Sequence, residues 1–364
     1  MSTSCRWSEP GQRPVPRASV DVVRYAFDAS FDVPSGYLNT PAIGIPPASV
    51  ADEVEAAVRR WRAGADNAPD FDEPVDVSRE AFARLVGVPA ERVAIGGSVS
   101  PLIAPVVTSL PDDAQVLTAS GEFTSVSFPF AAQQHRGVRV HEVELAALPE
   151  NVAGHDLVAV SAAQSADGRV VNLAALREAA EAAGVPVLLD VTQAAGWMPL
   201  ELEWADWVVG GGYKWLLSPR GCAWLAVHPR ALERTTAVAA NWYAGEQRWD
   251  SIYGLPLRLA QSARRLDTSP AWLPFVGAAA ALRYLAELDS EKVRAHCVGL
   301  ADTLLAELGL PEQGSAIVAL ATDNAGERLA AAGVQGSVRA GKIRLGFHLY
   351  NTEADVAQVV RALR

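Results

Sequence analysis

Cysteine is nearly missing from this chain. Cys5, Cys222 and Cys297 are its only three in 364 residues, they lie far apart, and no C-x-x-C pair occurs. That excludes a disulfide framework and a structural zinc site, and it predicts a reducing, cytoplasmic setting. Basic tracts are missing too, against a net charge of −11, which argues against a nucleic-acid partner or an anionic membrane surface. No apolar run approaches the roughly 20 residues of a membrane span. The opening MSTSCRWSEPGQRPVPRAS has no continuous apolar stretch of the secretory kind. Rich in Pro and Ser, it reads as a flexible arm, expected to extend over residues 1–36. No G-x-G-x-x-G follows an apolar strand, and no Lys-Ser/Thr pair follows a glycine turn. A dinucleotide fingerprint and a P-loop are thereby both excluded. No internal repeat is found.

What is present is ordinary for a globular enzyme: 50% apolar and 20% charged residues, in a chain long enough for a large domain and a smaller one. Helical spacing covers Asp52–Ala63 (Val54, Ala57, Val58, Trp61) and Ser78–Leu85. A short strand at Arg92–Ile95 then leads through Gly96-Gly97 into a helical pattern over Leu102–Leu110. Val116–Val143 repeats the strand–helix–strand theme, Leu157–Ser161 is a further strand, and Leu173–Ala183 a helix. Strands alternating with helices over this span predict an α/β fold with a mainly parallel sheet. Past Val227 the pattern changes to an aromatic, glycine-containing loop, Asn241–Leu255, of a kind that lines pockets. Long helices at Phe275–Leu288 and Ser290–Leu308 follow, and the chain closes on a strand and helix.

The apolar run Val185–Leu189 ends in Asp190, and Trp207–Val209 ends in Gly210-Gly211-Gly212-Tyr213-Lys214. Read as buried strands, both deliver a polar residue at the carboxyl edge of a parallel sheet, where such sheets carry their sites. Singly, the Asp reads as a helix cap and the Lys as a solvated side chain. Together they suit pyridoxal phosphate, whose aldehyde condenses with a lysine amine while a carboxylate keeps the pyridine nitrogen protonated. Between residues 96 and 100 a glycine turn opens a helix, which is a phosphate cradle built from free N–H groups and the helix dipole.

Asp190-Val191-Thr192-Gln193, 24 residues before Lys214, followed by Ser218-Pro219-Arg220-Gly221, resembles the class V aminotransferase family. That family includes cysteine desulfurases, selenocysteine lyases, kynureninases and isopenicillin N epimerase. The likeness runs from about Tyr37 to the C-terminus, where Lys342–Thr352 resembles the family's closing strand. It implies the PLP transferase fold type I, with a three-layer αβα large domain over residues 37–250 and a smaller α+β domain over 251–364. It also implies a homodimer with shared active sites and an amino-acid substrate. Carried over by motif, Lys214 is the Schiff-base residue and the base and acid at Cα, Asp190 the pyridinium partner, and Gln193 a donor to the cofactor's phenolic oxygen. Ser98, the Val99 backbone, Ser100 and Tyr213 hold the phosphate, Phe123 stacks on the ring, and Ser165 lies near the cofactor oxygen. Thr268 or Ser269, in a turn lacking the family's glycine, reaches a neighbouring subunit's phosphate. Arg344 grips the substrate carboxylate, a task suited to a planar two-donor fork, and Asn39, in the Y-L-N entry at the site mouth, joins it. No metal is expected.

Desulfurases carry a nucleophilic Cys shortly before the substrate arginine; here residues 331–339 contain none. The resemblance therefore points to transamination or Cβ–X lysis without a protein persulfide. The alternatives are an epimerase of the isopenicillin N type, suggested by Tyr213-Lys214-Trp215-Leu216 with Ser218–Gly221, and a non-catalytic PLP binder, against which intact Lys214, Asp190 and Arg344 argue.

Overall fold

The computed structural model describes residues 23–321 and 324–364. Cys5 and most of the expected arm lie outside the described residues. From Val23 the chain is built into the fold: strands β1 (Val23–Ala26) and β2 (Ala29–Asp32) form a hairpin. Arg24 clamps it to Asp355 through bonds of 2.6 and 3.0 Å. The expected arm is therefore cut short, because a half-buried bidentate ion pair and Phe31 in the core fix this stretch.

Helices α1 (Ala48–Arg62) and α2 (Asp72–Leu85) lead to β3 (Val93–Gly96), and α3 (Val99–Thr108) follows. Then come β4 (Gln115–Ala119), α4 (Thr124–Ala131), β5 (Arg139–Val143), β6 (Leu157–Ser161), α5 (Leu173–Ala183), β7 (Val187–Asp190), β8 (Trp207–Gly211) and β9 (Ala223–Val227). These strands form a seven-stranded sheet in the order β3-β9-β8-β7-β6-β4-β5. Neighbours from β8 through to β5 are parallel, and only β9 runs against the rest. Strands β3, β6, β7, β8 and β9 are buried at every residue. That is why they read as continuous apolar runs, the mark of a sheet covered on both faces. From β4 the chain proceeds outward to β5 and then inward to β6, so the order reverses there and opens a crevice at the strands' carboxyl ends.

The short α6 (Pro229–Leu232), then α7 (Trp272–Glu287) and α8 (Ser290–Glu307), precede β10 (Ile317–Leu320), α9 (Ala325–Ala331), β11 (Ser337–Arg339), β12 (Lys342–Gly346) and α10 (Glu353–Leu363). The last three strands make an antiparallel sheet, β10-β12-β11, over its own core of Leu304, Val318, Leu345, Phe347 and Val359. Residues 37–39 run alongside this small sheet: Leu38 N–H donates to Gln335 O at 2.9 Å and Gly346 N–H to Leu38 O at 2.8 Å. On α1 the expected apolar stripe is only half used. Ala57 is buried, whereas Val58 and Trp61 remain exposed. No helix among the described residues is long and apolar enough to cross a membrane.

Candidate active site

Five carboxyl ends converge on one cavity of about 290 Å³. From β3 the chain passes Gly96-Gly97 into α3. Ser98 holds the N-cap position in extended backbone, yet its hydroxyl makes no capping bond. The first N–H groups of α3 and a free hydroxyl thus face the cavity that Ser98, Val99 and Ser100 line.

From β4, Phe123 leaves a ring 41% exposed at the cavity, with the Lys214 Nζ 5.2 Å from its centroid. Glu122 beside it is buried and accepts four hydrogen bonds. They come from Phe123 N–H (2.7 Å), Ser161 N–H (2.7 Å), Ser161 Oγ (2.6 Å) and Gln164 Nε2 (3.0 Å). This carboxylate staples the β4 loop to the end of β6 across the reversal point. Sequence reading passed over Glu122, although a lone acid straight after a buried strand was the available signal.

Asp190 ends β7, opposite Ser161 on β6 and Val209 on β8. It is 4% exposed, and its Oδ1 accepts from Thr192 N–H at 2.8 Å. Burial pushes its carboxyl up to about 6, against the opposing pull of the Thr192 bonds and Lys214. Thr192, a cavity residue that sequence reading also missed although it lies inside D-x-x-Q, accepts from Gly211 N–H at 3.0 Å and so ties the β7 and β8 exits together.

Lys214 follows the β8 end in a tight link to β9. Gly212 N–H donates to Cys222 O at 3.0 Å and Ser218 N–H to Gly212 O at 3.0 Å. A side chain at Gly212 would meet Ser218 Oγ at 2.1 Å and press on the Trp224 ring, so any larger residue must displace the Ser218 hydroxyl. Lys214 is 5% exposed. Burial holds its amine down at about 8, Asp190 partly opposing and Arg344, Arg339 and Arg220 adding to the effect. Tyr213 also lines the cavity, with the Arg220 guanidinium 4.9 Å from its ring centroid. Arg220 is a second unanticipated wall residue, within the quoted Ser-Pro-Arg-Gly motif.

Arg344, on β12 and 1% exposed, reaches the cavity edge through Ser165. Its Nη1 donates to Ser165 O and, at 3.0 Å, to Ser165 Oγ; Nη2 donates to Ser337 Oγ at 3.1 Å. Among the described residues its Nε finds no partner and no carboxylate offsets its charge, and burial and then Arg339 pull its pKa down to about 10. A buried guanidinium without a counter-ion is costly. Asn39, placed beside Gly346, likewise has a buried, unpartnered Oδ1.

Gln193 lines the cavity and is held within the protein in this structure. Its Nε2 donates to Pro41 O at 3.0 Å and Ser165 Oγ at 3.2 Å, and its Oε1 accepts from Trp215 Nε1 at 2.7 Å. Both amide hydrogens are engaged here, as a buried carboxamide satisfies its donors within the protein. Ser165 correspondingly sits between Gln193 and Arg344. Thr268 and Ser269 do not line this cavity. Thr268 N–H is held on Ile95 O at 3.0 Å, in a turn anchored by a buried Arg79–Asp267 pair at 2.8 Å. The loop Asn241–Leu255 also stays outside it within one chain.

A free N-terminal cradle, a lysine with a depressed pKa and a buried carboxylate in no salt bridge among the described residues fit a phosphate, an aldehyde and a basic ring nitrogen respectively. Among the described residues no group of three or more His, Cys, Asp or Glu is placed to hold a metal. The Aminotransferase class-V family model matches residues 37–325. An uncharacterised aminotransferase of Bacillus subtilis (strain 168) is 29% identical over 311 residues, which is 79% of this chain and 82% of that protein. Isopenicillin N epimerase of Streptomyces clavuligerus is 26% identical over 253 residues, 62% of each. The fold is that of the apo cysteine desulfurase from Thermococcus onnurineus NA1, with a TM-score of 0.78 at 17% identity, covering 90% of this chain and 93% of that one. The chain belongs to the class-V aminotransferase family, enzymes of PLP fold type I that work with pyridoxal phosphate.

Proposed function

We propose that this enzyme acts on an α-amino acid at Lys214, by transamination or by cleavage of a Cβ–X bond, without forming a persulfide on the protein. One observation carries the reading: Arg344 is buried at the edge of the Lys214 cavity, with an unpartnered Nε and no carboxylate among the described residues to neutralise it. A substrate α-carboxylate supplies the missing charge in the bidentate geometry that a guanidinium prefers.

When bound, pyridoxal phosphate supplies an aldehyde for the amines and an electron-accepting ring. Lys214 anchors the cofactor and moves the proton at the substrate Cα, and a pKa of about 8 keeps its amine usable near neutral pH. Asp190 holds the proton on the ring nitrogen. Ser98, Val99 N–H, Ser100 and Tyr213 hold the phosphate, and Phe123 covers the ring. Asn39 flanks the carboxylate seat. Ser165 accepts from both Gln193 and Arg344, which leaves its own O–H to donate to the cofactor oxygen.

Two observations support chemistry without a persulfide. Cys222 lines the cavity, but burial pushes its thiol well up, out of the range in which a thiolate attacks. Cys297 is fully buried in α8, and residues 331–339 contain no cysteine. Likeness to isopenicillin N epimerase favours a second reading, epimerisation at Cα.

Exposed apolar side chains on the 249–257 loop, with Tyr253 at 87% and Leu255 at 89%, support a two-fold dimer in which Thr268 or Ser269 approaches the other subunit's phosphate. The deciding experiment incubates the holoenzyme with a panel of amino acids and keto acids while the cofactor spectrum and products are followed. A keto acid formed without ammonia, its amino group passed to the added keto acid, indicates transamination. Release of the group X, together with ammonia and a keto acid or with the shortened amino acid, indicates lysis; the inverted amino acid indicates epimerisation. A spectrum unmoved by every amino acid refutes the reading.

A further inference from the structure

Strands β11 and β12 are joined by a two-residue turn, Ala340-Gly341, with both residues at positive φ (46° and 76°). This tight hairpin pins the register: Ser337 faces Arg344, Val338 faces Ile343, and Arg339 faces Lys342. Side chains alternate along a strand, so Ser337, Arg339, Lys342 and Arg344 all share one face. That face is turned to the cavity edge, because the Arg344 guanidinium, which holds Ser337 Oγ at 3.1 Å, also donates to the cavity-lining Ser165 at 3.0 Å.

Three cations therefore climb from the cavity edge toward solvent. Arg344 is innermost, and Arg339 and Lys342 stand directly opposite one another at the rim, both exposed. Like charges directly opposite on a hairpin are destabilising, and the diagonal distance from Arg339 to Arg344 is only about 7–8 Å. Among the described residues no acid answers them. The recorded side-chain bond of Arg339 is to its own neighbour's carbonyl, Val338 O, at 2.8 Å. Arg339 is also close enough to bear on the charge of both Arg344 and Lys214. One α-carboxylate seated on Arg344 leaves the outer two cations unanswered.

We infer that the substrate is an amino acid carrying a second anionic group on its side chain, which Arg339 and Lys342 receive at the rim while Arg344 holds the α-carboxylate. This rests on the carboxylate seat proposed above. The outer pair works partly through solvent, so it selects between substrates more than it tightens binding, and added salt weakens it.

The test titrates the holoenzyme by calorimetry with three unreactive acids of similar length: valerate with one carboxylate, glutarate with two, and 4-phosphonobutyrate. Glutarate or the phosphonate is expected to bind at least about tenfold more tightly than valerate, ~1.4 kcal/mol, and the preferred one identifies the distal group. In the double variant Arg339→Gln/Lys342→Gln, at exposed positions outside the core, that advantage should fall to within about twofold. Equal affinity of all three acids for the unaltered enzyme, or an advantage that survives in the double variant, overturns the inference. Arg344→Gln separates this from the underlying reading. If it leaves valerate binding unchanged, the carboxylate seat itself is wrong. If it abolishes valerate binding while glutarate and the phosphonate show no advantage in the unaltered enzyme, only the distal assignment falls.

Discussion

Replacing Asp190 with Asn should make the cofactor-free protein more stable and the enzyme nearly inactive. Asp190 is wholly buried, and its pKa rises from an ordinary 3.8 to about 6, chiefly because burial disfavours the charge. At ~1.4 kcal/mol per pH unit, that gap is a penalty of ~3 kcal/mol on the ionised form in the fold. An acid with a raised folded pKa contributes stability that is present below 3.8 and lost as pH climbs through about 6. The penalty is therefore full at pH 8 and about half at pH 5. Asn keeps an acceptor for Thr192 N–H and drops the charge. For a chain of 364 residues, ~3 kcal/mol corresponds to a rise of about 4 °C in Tm. Differential scanning calorimetry on apoprotein at pH 8 and pH 5 should show this rise, with roughly half of it at pH 5. In the holoenzyme the same change removes the partner of the ring nitrogen. Turnover should fall by about 10²–10³-fold, the scale of losing one preorganised electrostatic contact. An apoprotein Tm that is unchanged or lower at pH 8, or equal gains at both pH values, would refute the reasoning.

Borohydride reduction of the holoenzyme followed by peptide mapping should place the cofactor on Lys214; the other two lysines, Lys292 and Lys342, are surface residues, and an adduct on either sinks the assignment. Because the Lys214 amine sheds its proton near pH 8, the rate at which apoprotein regains its cofactor spectrum should climb as pH is raised through that value. Arg344→Ala should lower kcat/KM for the amino acid by roughly a hundredfold, from ~3 kcal/mol for a charge-assisted bidentate contact left unpaired, while cofactor loading stays the same. Arg344→Lys should restore only part of it, and full activity of the Ala variant would remove Arg344 from the site. Light scattering at micromolar concentration should find a dimer, and a fully loaded monomer would contradict a site shared between subunits; the interface should exceed ~2,000 Å² in total.

Local pattern was enough for the elements that carry the site. Leu157–Ser161 and Leu173–Ala183 stand in the structure with the bounds read from sequence. Asp190 and Lys214 were legible as polar ends of apolar runs, since a strand buried on both faces announces itself by composition and its edge by the first polar residue. Other features needed the folded chain. Arg344 is an arginine on a strand until β12 buries it where no acid reaches, and that missing neighbour can be seen only in three dimensions. Gln193 was legible from its motif, but its bonds to Pro41 and Ser165, 152 and 28 residues away, appear only in the folded chain. Glu122 became a staple only when β4 and β6 came to lie side by side, although they are adjacent in neither sequence nor motif. The hairpin at residues 23–32 depends on Asp355, some 330 positions later. Short-range periodicity encodes elements and their ends, whereas charge balance and hydrogen-bond commitment are decided by partners that only tertiary folding brings within about 3 Å.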